Sequence, residues 1–357
     1  MTSQKPDISI IIPILNEAAE LPALFDSLAE QSGITFEIIL CDGGSYDDSL
    51  RLIQEQSERS AQTVRTVSTP PGRGIQMNAG ADQAESDLLL FLHADSRFCH
   101  GSALSMAITS FRRECDTTGE SLAARFALGF RRKNDLPSLA YFFYEAKARL
   151  DRSDCIRGDQ GMMISRSTFE RLGCFDTSLP FLEDVRFAGE VVRHGRWLLL
   201  PADITTSARR FEQEGLYERQ VINAIIANAA LIGWNELFTS LPGLYRTAAE
   251  SGKIDLFSFL DGIRTLLDGM SDSRRRDFWR TTGRSVSENA WQLFFWLDAR
   301  RAFTAGMDPG SVQPRWLNFY RMAPARFFAT GMAGWLTQLV VKIWFKLMLI
   351  RGTSRTV

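Results

Sequence analysis

Cysteine is scarce in this chain and wrongly spaced for a scaffold. The five present, Cys41, Cys99, Cys115, Cys155 and Cys174, are odd in number and include no Cys-x-x-Cys pair. That argues against a disulfide framework or a zinc ribbon and leaves small, reduced, buried thiols. The N-terminus lacks the basic start and apolar run of a signal peptide: Met1–Asp7 is polar and a strand begins at Ile8, so a cytoplasmic location is expected. The full dinucleotide fingerprint Gly-x-Gly-x-x-Gly is missing, and Gly72-Arg73-Gly74 is only a fragment of it. Acid is absent from Pro309 to Val357, where Arg315, Arg321, Arg326, Lys342, Lys346, Arg351 and Arg355 stand against no Asp or Glu. The tail is also strongly apolar, so an anionic membrane surface suits it as a partner and nucleic acid does not. The rest is ordinary for a folded protein: 357 residues, 45% hydrophobic and 23% charged, room for a large core and two units.

The apolar runs are short, and they end on polar residues. Leu88–Leu92 is too brief for an ordinary helix and reads as a strand buried on both faces, stopping at His93-Ala94-Asp95. Ile8–Leu15 is a second such strand, ending at Asn16-Glu17, with Pro13 tolerated near its end. Phe36–Cys41 is a third, ending at Asp42-Gly43-Gly44-Ser45, where paired glycines allow a tight turn and close approach of a ligand. Asp42 and Asp95 therefore reach one carboxyl edge, where open α/β sheets place their ligands. Helices are expected over Glu20–Gln31, Asp47–Ser60 and Ile75–Ala84, with a strand at Thr63–Val67 and a loop at Thr69–Gly74. The alternation predicts a doubly wound, mostly parallel sheet.

Farther on, Leu122–Phe130 reads as a strand, Leu136–Leu150 as a helix with an aromatic face, Met162–Ser165 as a short strand and Trp197–Leu200 as the last one. Between them stand Gly158-Asp159-Gln160-Gly161 and the acidic pair Glu183-Asp184, which as the opening of a helix also gains from its dipole. Arg209 and Arg210 suit planar recognition of phosphate oxygens, or a solvated basic turn. Beyond Gly215 the composition turns helical: Leu216–Trp234, Asp255–Met270, Ser285–Ala305 and Phe327–Ile350, with a break at Gly243. The last is long enough to span a bilayer, yet Gln338, Lys342 and Lys346 make a polar stripe along it. Burying Lys342 at mid-membrane would cost about 2.5–3.5 kcal/mol, which favours a helix lying in the interface over a span, with a packed core or dimer helix as the other arrangement.

Together, Ile8–Glu17, Asp42-Gly43-Gly44-Ser45, Arg73 with Gln76-Met77-Asn78-Ala79-Gly80, Leu92-His93-Ala94-Asp95, Gly158-Asp159-Gln160-Gly161, Glu183-Asp184 and Ser207–Phe211 resemble the family-2 glycosyltransferases of the GT-A fold. The PGRGxQMNAGA and LFLHAD forms are most similar to the radical-SAM/selenodomain-associated transferase 2 subgroup. The resemblance implies an α/β, GT-A-like nucleotide-sugar-binding domain over residues 1–215 and a helical extension over 216–357. It implies inverting transfer from a nucleoside-diphosphate sugar, a UDP-sugar above all, to a small-molecule or lipid-linked acceptor. Asp184 would be the general base, beside Glu183. Donor contacts would come from Asn16, Glu17, Asp42, Gly44, Arg73, Gln76, Asn78, Asp95, Asp159, Gln160, Arg209 and Arg210. Read alone, Gln76 and Asn78 are equally suited to be solvated helix-surface groups.

Asp95 is the implied ligand of a divalent cation, Mn²⁺ or Mg²⁺, since one protein carboxylate suffices when the donor's phosphates complete the shell. His93 stands where many relatives have the first Asp of Asp-x-Asp, and imidazole favours Mn²⁺. That departure keeps open a catalytically silent nucleotide-sugar binder or membrane-associated scaffold. A nucleotidylyltransferase is disfavoured, because Pro13-Ile14-Leu15-Asn16-Glu17 is no glycine-rich basic loop. The expected setting is cytoplasmic, peripheral at the inner face of the membrane through the C-terminal helix, or in a homo-oligomer.

Overall fold

The computed structural model describes residues 5–118, 122–178, 182–249, 252–322 and 324–353. The chain divides into two compact units, Met1–Arg131 with Tyr144–Ser207, and Arg132–Phe143 with Ala208–Val357. The division thus falls ahead of the expected Gly215, and a short upstream segment joins the helical unit.

The first unit contains β1 (Ile8–Ile14), α1 (Leu21–Ala29), β2 (Phe36–Asp42), α2 (Ser49–Arg59), β3 (Thr63–Ser68), α3 (Arg73–Gln83), β4 (Leu88–Phe91), β5 (Arg97–Phe98), α4 (Ala103–Thr118) and β6 (Leu122–Arg131). The helix α5 (Leu139–Lys147) crosses the division, and β7 (Met162–Ser165), α6 (Arg166–Arg171), α7 (Glu183–His194) and β8 (Arg196–Ser207) complete the unit. The eight strands make one sheet in the order β3-β2-β1-β4-β7-β6-β8-β5. Four of its seven pairings are parallel, so the sheet is mostly parallel, with β7 and β5 running against their neighbours.

The continuous apolar runs have the expected cause. Even-numbered residues of β1, Ile8, Ile10, Ile12 and Ile14, enter the core on one face with Leu24, Leu40 and Leu90. Ile11 enters the other with Ile39, Leu89 and a cluster of Phe91, Phe169, Phe175 and Phe187. A strand covered on both faces has no polar alternation. Pro13 is accommodated because the β1–β4 ladder ends at Ile11↔Phe91, so its missing N–H costs no bond there. Register sets Ile14 beside Asp42, and the strands deliver their polar ends to a common edge.

The second unit is helical over its described residues: α8 (Arg209–Glu214), α9 (Leu216–Ile232), α10 (Asn235–Ala249), α11 (Leu256–Asp268), α12 (Asp272–Glu288), α13 (Trp291–Thr304), α14 (Arg315–Met322), α15 (Pro324–Phe328) and α16 (Gly331–Thr353). Phe259, Leu260, Ile263, Trp291 and Phe295 are buried in it. These helices differ from the sequence reading in several places, and the expected helix Ser285–Ala305 is the end of α12 and a separate α13 from Trp291. α10 carries Pro242 in its interior, next to the Gly243 that reads as a break. α12 is so rich in arginine and acid that no apolar stripe marks it, and it is held by pairs such as Arg275–Asp272 and Arg284–Glu288. The expected helix Phe327–Ile350 is two, because the Thr330 hydroxyl accepts the Ala333 N–H and starts α16 anew.

Candidate active site

The carboxyl edge of the first unit is built by loops that tie to one another. Asp42 is buried, and its carboxylate accepts the N–H groups of Gly44 at 3.0 Å and Ser45 at 3.1 Å, bending the chain into a turn. Gly44 sits at φ +92°, a conformation that suits glycine. Asn16 is left-handed at φ 57°, donates its N–H to Ser45 Oγ and accepts the Tyr46 N–H at Oδ1, both at 2.9 Å. The Glu17 N–H reaches Ser49 Oγ, also at 2.9 Å. The turns after β1 and β2 are therefore one piece.

Gln76 and Asn78 are placed differently from the donor contacts the resemblance implies. Gln76 is buried, and its Nε2 donates to the carbonyls of Ile14 and Cys41, each at 2.7 Å. It stitches the ends of β1 and β2 to α3. Asn78 clasps Phe175 from both sides, Nδ2 to its carbonyl at 2.9 Å and Oδ1 from its N–H at 3.0 Å. Both side chains position other groups, because a buried amide satisfies itself on the nearest backbone. Gln160 is likewise buried and donates Nε2 to the Cys155 carbonyl at 2.7 Å.

Arg73, expected in a loop, is the first residue of α3 and half exposed. Its guanidinium lies 3.6 Å from Glu183, the first residue of α7. The acidic pair thus splits. Glu183 is buried against Arg73, and burial together with the Asp184 charge pushes its carboxyl above the usual range. Asp184 instead accepts the Gly158 N–H at 2.7 Å and the Val185 N–H at 2.8 Å. Arg73, Met77, Phe91, His93, Gly158, Met162, Phe175 and Asp184 line one small pocket. The lining combines the apolar Met77, Phe91, Met162 and Phe175 with Arg73, His93 and Asp184. His93 and Gly158 stand within motifs of the sequence but are not among its catalytic or donor-binding candidates. A Cβ on Gly158 would stand 2.9 Å from His93 Nε2 and 3.4 Å from Asp184 Oδ2, so glycine is what lets the three meet.

Asp95 follows β4 in a loop held by two arginines. Arg97 donates to the carbonyls of Ala94 and Ser96 while pairing with Glu20 at 2.8 Å, and Arg131 donates to the Asp95 carbonyl at 2.7 Å. The Asp95 carboxylate itself is half-buried and makes no hydrogen bond among the described residues. Asp159 lies in the single 3₁₀ turn Gly158–Gln160 with Oδ1 buried and unpartnered among the described residues. Desolvation, then the charges of Asp184 and Asp95, push its carboxyl up to about 7, against the pull of Arg157 and Arg73.

Among the described residues no three His, Cys, Asp or Glu side chains converge as a metal site. One open carboxylate at Asp95 still fits a cation whose other ligands are donor phosphates and water. Arg209 and Arg210 open α8 and belong to the second unit.

Residues 9–173 match the family described as Glycosyl transferase family 2. Curated relatives include a PGL/p-HBAD biosynthesis glycosyltransferase of Mycobacterium tuberculosis, 38% identical over 102 residues, which are 28% of this chain and 40% of the relative. An undecaprenyl-phosphate 4-deoxy-4-formamido-L-arabinose transferase of Pseudomonas savastanoi is 36% identical over 93 residues, 25% of this chain and 28% of the relative. The chain spans less than half the length of these relatives. Among solved structures, a mannosyltransferase of Pyrobaculum calidifontis in complex with GDP-Man and Mn²⁺ aligns over 96% of this chain and 88% of its own at 16% identity and a TM-score of 0.48. Over residues 9–173 the chain is therefore similar to glycosyl transferase family 2, and it carries that similarity on an eight-stranded α/β sheet followed by a helical C-terminal region.

Proposed function

We propose that the chain transfers a sugar from a nucleoside-diphosphate sugar, a UDP-sugar first among them, to a nucleophilic acceptor with inversion at the anomeric carbon. The observation that carries this reading is the meeting of Asp184, Arg73 and His93 around one pocket beside the end of β4. Asp184 takes the proton of the acceptor nucleophile as its new bond to the anomeric carbon forms and the bond to the diphosphate oxygen breaks. Its oxygens are aimed by the Gly158 and Val185 N–H groups. Arg73 offsets charge on the departing diphosphate, and Glu183 holds Arg73 in place. The glycine turn shaped by Asp42 supports the base or ribose. Asp95 would hold a divalent cation, Mn²⁺ or Mg²⁺, which supplies charge neutralisation at the pyrophosphate.

A lipid-linked acceptor is the class we favour, because one relative is named for transfer to undecaprenyl phosphate. The setting is then cytoplasmic and peripheral to the membrane. The test is donor hydrolysis and donor binding measured together. Asp184→Asn should lower turnover about 10²–10⁴-fold while calorimetric affinity for the donor holds. Asp95→Ala should abolish cation-dependent donor binding. Turnover that survives Asp184→Asn would overturn the assignment, and binding without any turnover in the native chain would favour a silent binder.

A further inference from the structure

The helix α16 faces the opposite way from an ordinary surface helix. Two members of its polar stripe turn toward its own unit, while Lys346 stays exposed: Lys342 Nζ lies 5.6 Å from the Trp279 ring on α12, and Gln338 is part-buried. The two helices cross on glycines, since a Cβ on Gly283 would stand 2.5 Å from the Gly334 carbonyl and 2.6 Å from Gln338 Cβ. The other face is apolar and open. Met332, Leu336, Leu339, Val340, Ile343 and Leu347 fall on one helical stripe and are 38–65% exposed. Of the apolar window in Gly331–Arg351, only 17% is buried.

We propose that this face docks on an anionic lipid surface, with α16 lying along the interface. The inference stands on the second unit alone and not on the transfer reading. Charge selects the occupant. The stripe is bordered by exposed Lys346 and Arg351, and no Asp or Glu occurs from Pro309 onward. A second copy would set this acid-free basic segment against itself, because a two-fold contact pairs the same patch on both chains. Acidic headgroups complement it. A crossing helix is disfavoured for a different reason: α12, packed along α16, carries Arg274, Arg275, Arg276, Arg280 and Arg284, which a span would draw toward the bilayer core.

The full chain should float with vesicles of equimolar phosphatidylcholine and phosphatidylglycerol at least about tenfold more tightly than with phosphatidylcholine alone, and added salt should weaken that binding. Val340→Glu with Ile343→Glu, both on the open face, should cost about tenfold or more with thermal unfolding unchanged. Lys346→Gln with Arg351→Gln should lower binding to the acidic vesicles and leave binding to neutral ones as it was. Equal flotation of the native chain and the glutamate variant would overturn the proposal. So would self-association in sedimentation equilibrium that the glutamate variant removes while neither protein binds vesicles, which would make the occupant a second copy. Full resistance of the cellular membrane pool to alkaline carbonate would overturn it in favour of a span.

Discussion

Replacing Gln76 by leucine separates two roles that its place in the sequence leaves open. The side chain is buried and both bonds of its Nε2, to the carbonyls of Ile14 and Cys41, are 2.7 Å long. Leucine is near in volume, so packing is largely kept and the hydrogen bonds are what is lost. Each is worth about 0.5–1.5 kcal/mol net, and the acceptors left buried add to this, so a destabilisation of about 2–4 kcal/mol is expected. For a unit of this size that is roughly 4–16 °C in the midpoint of unfolding. The assay is scanning calorimetry of the full chain with and without donor. Since the ends of β1 and β2 carry Asn16 and Asp42, weaker donor binding should accompany the loss of stability. A variant that keeps its transition within about 1 °C yet loses donor affinity tenfold would refute the reasoning, for it would make Gln76 a direct contact with no part in holding the strands.

Gly80→Ala tests the packing of α3 on the sheet. An added Cβ would stand 2.5 Å from Ile11 Cγ2 and 2.6 Å from Cys41 Sγ, both fully buried, so the variant should lose about 1–3 kcal/mol in spite of alanine's helix preference; an unchanged melting midpoint would contradict the close approach. Asp159 sets a pH dependence. Its folded pKa of about 7 lies above the usual 3.8, so its contribution to stability is full below pH about 4 and fades as pH rises through 7. In chelator, Asp159→Asn should therefore match the native chain near pH 4 and exceed it by about 2–4 kcal/mol above pH 7, and parallel melting curves across that range would count against a protonated Asp159. The Glu183–Arg73 pair predicts that Glu183→Gln frees Arg73: KM for the donor should rise while kcat for donor hydrolysis stays in place, and a kcat lowered as far as in Asp184→Asn would give Glu183 a direct part in proton transfer.

Fold class was legible because burial on both faces leaves a mark in the chain itself. Leu88–Phe91 is an unbroken apolar run for that reason, Ile8–Ile14 is interrupted only by the buried Ser9 and by Pro13, and the acidic residues that follow them announce the edge they reach. Helix α12 was not legible, since its stability comes from ion pairs and from packing with α16, neither of which makes a periodic apolar stripe. Arg73 and Asp184, which line the pocket, were named by residue type and position, yet the division of labour among the polar residues around them was not. Glutamine and asparagine on a helix look alike whether they face a ligand or a backbone carbonyl, and the neighbour that decides, Ile14 for Gln76 and Phe175 for Asn78, is 62 and 97 residues away along the chain.

What the sequence by itself determined, then, is the longer buried strands, the sheet edge they serve and the charged groups brought to it, because burial and turn chemistry act over a few neighbouring residues. The two-residue β5 and the far half of β8 left no such mark. Only the tertiary structure decided which carboxylate of Glu183-Asp184 turns inward to Arg73 and which to the pocket. It also decided that α16 turns Lys342 of its polar stripe to Trp279, leaves Lys346 exposed and shows its apolar face. The physical reason is the same in both cases: adjacent or similarly spaced side chains are told apart by the long-range partners that desolvate and pair them, and those partners exist only once the chain has folded.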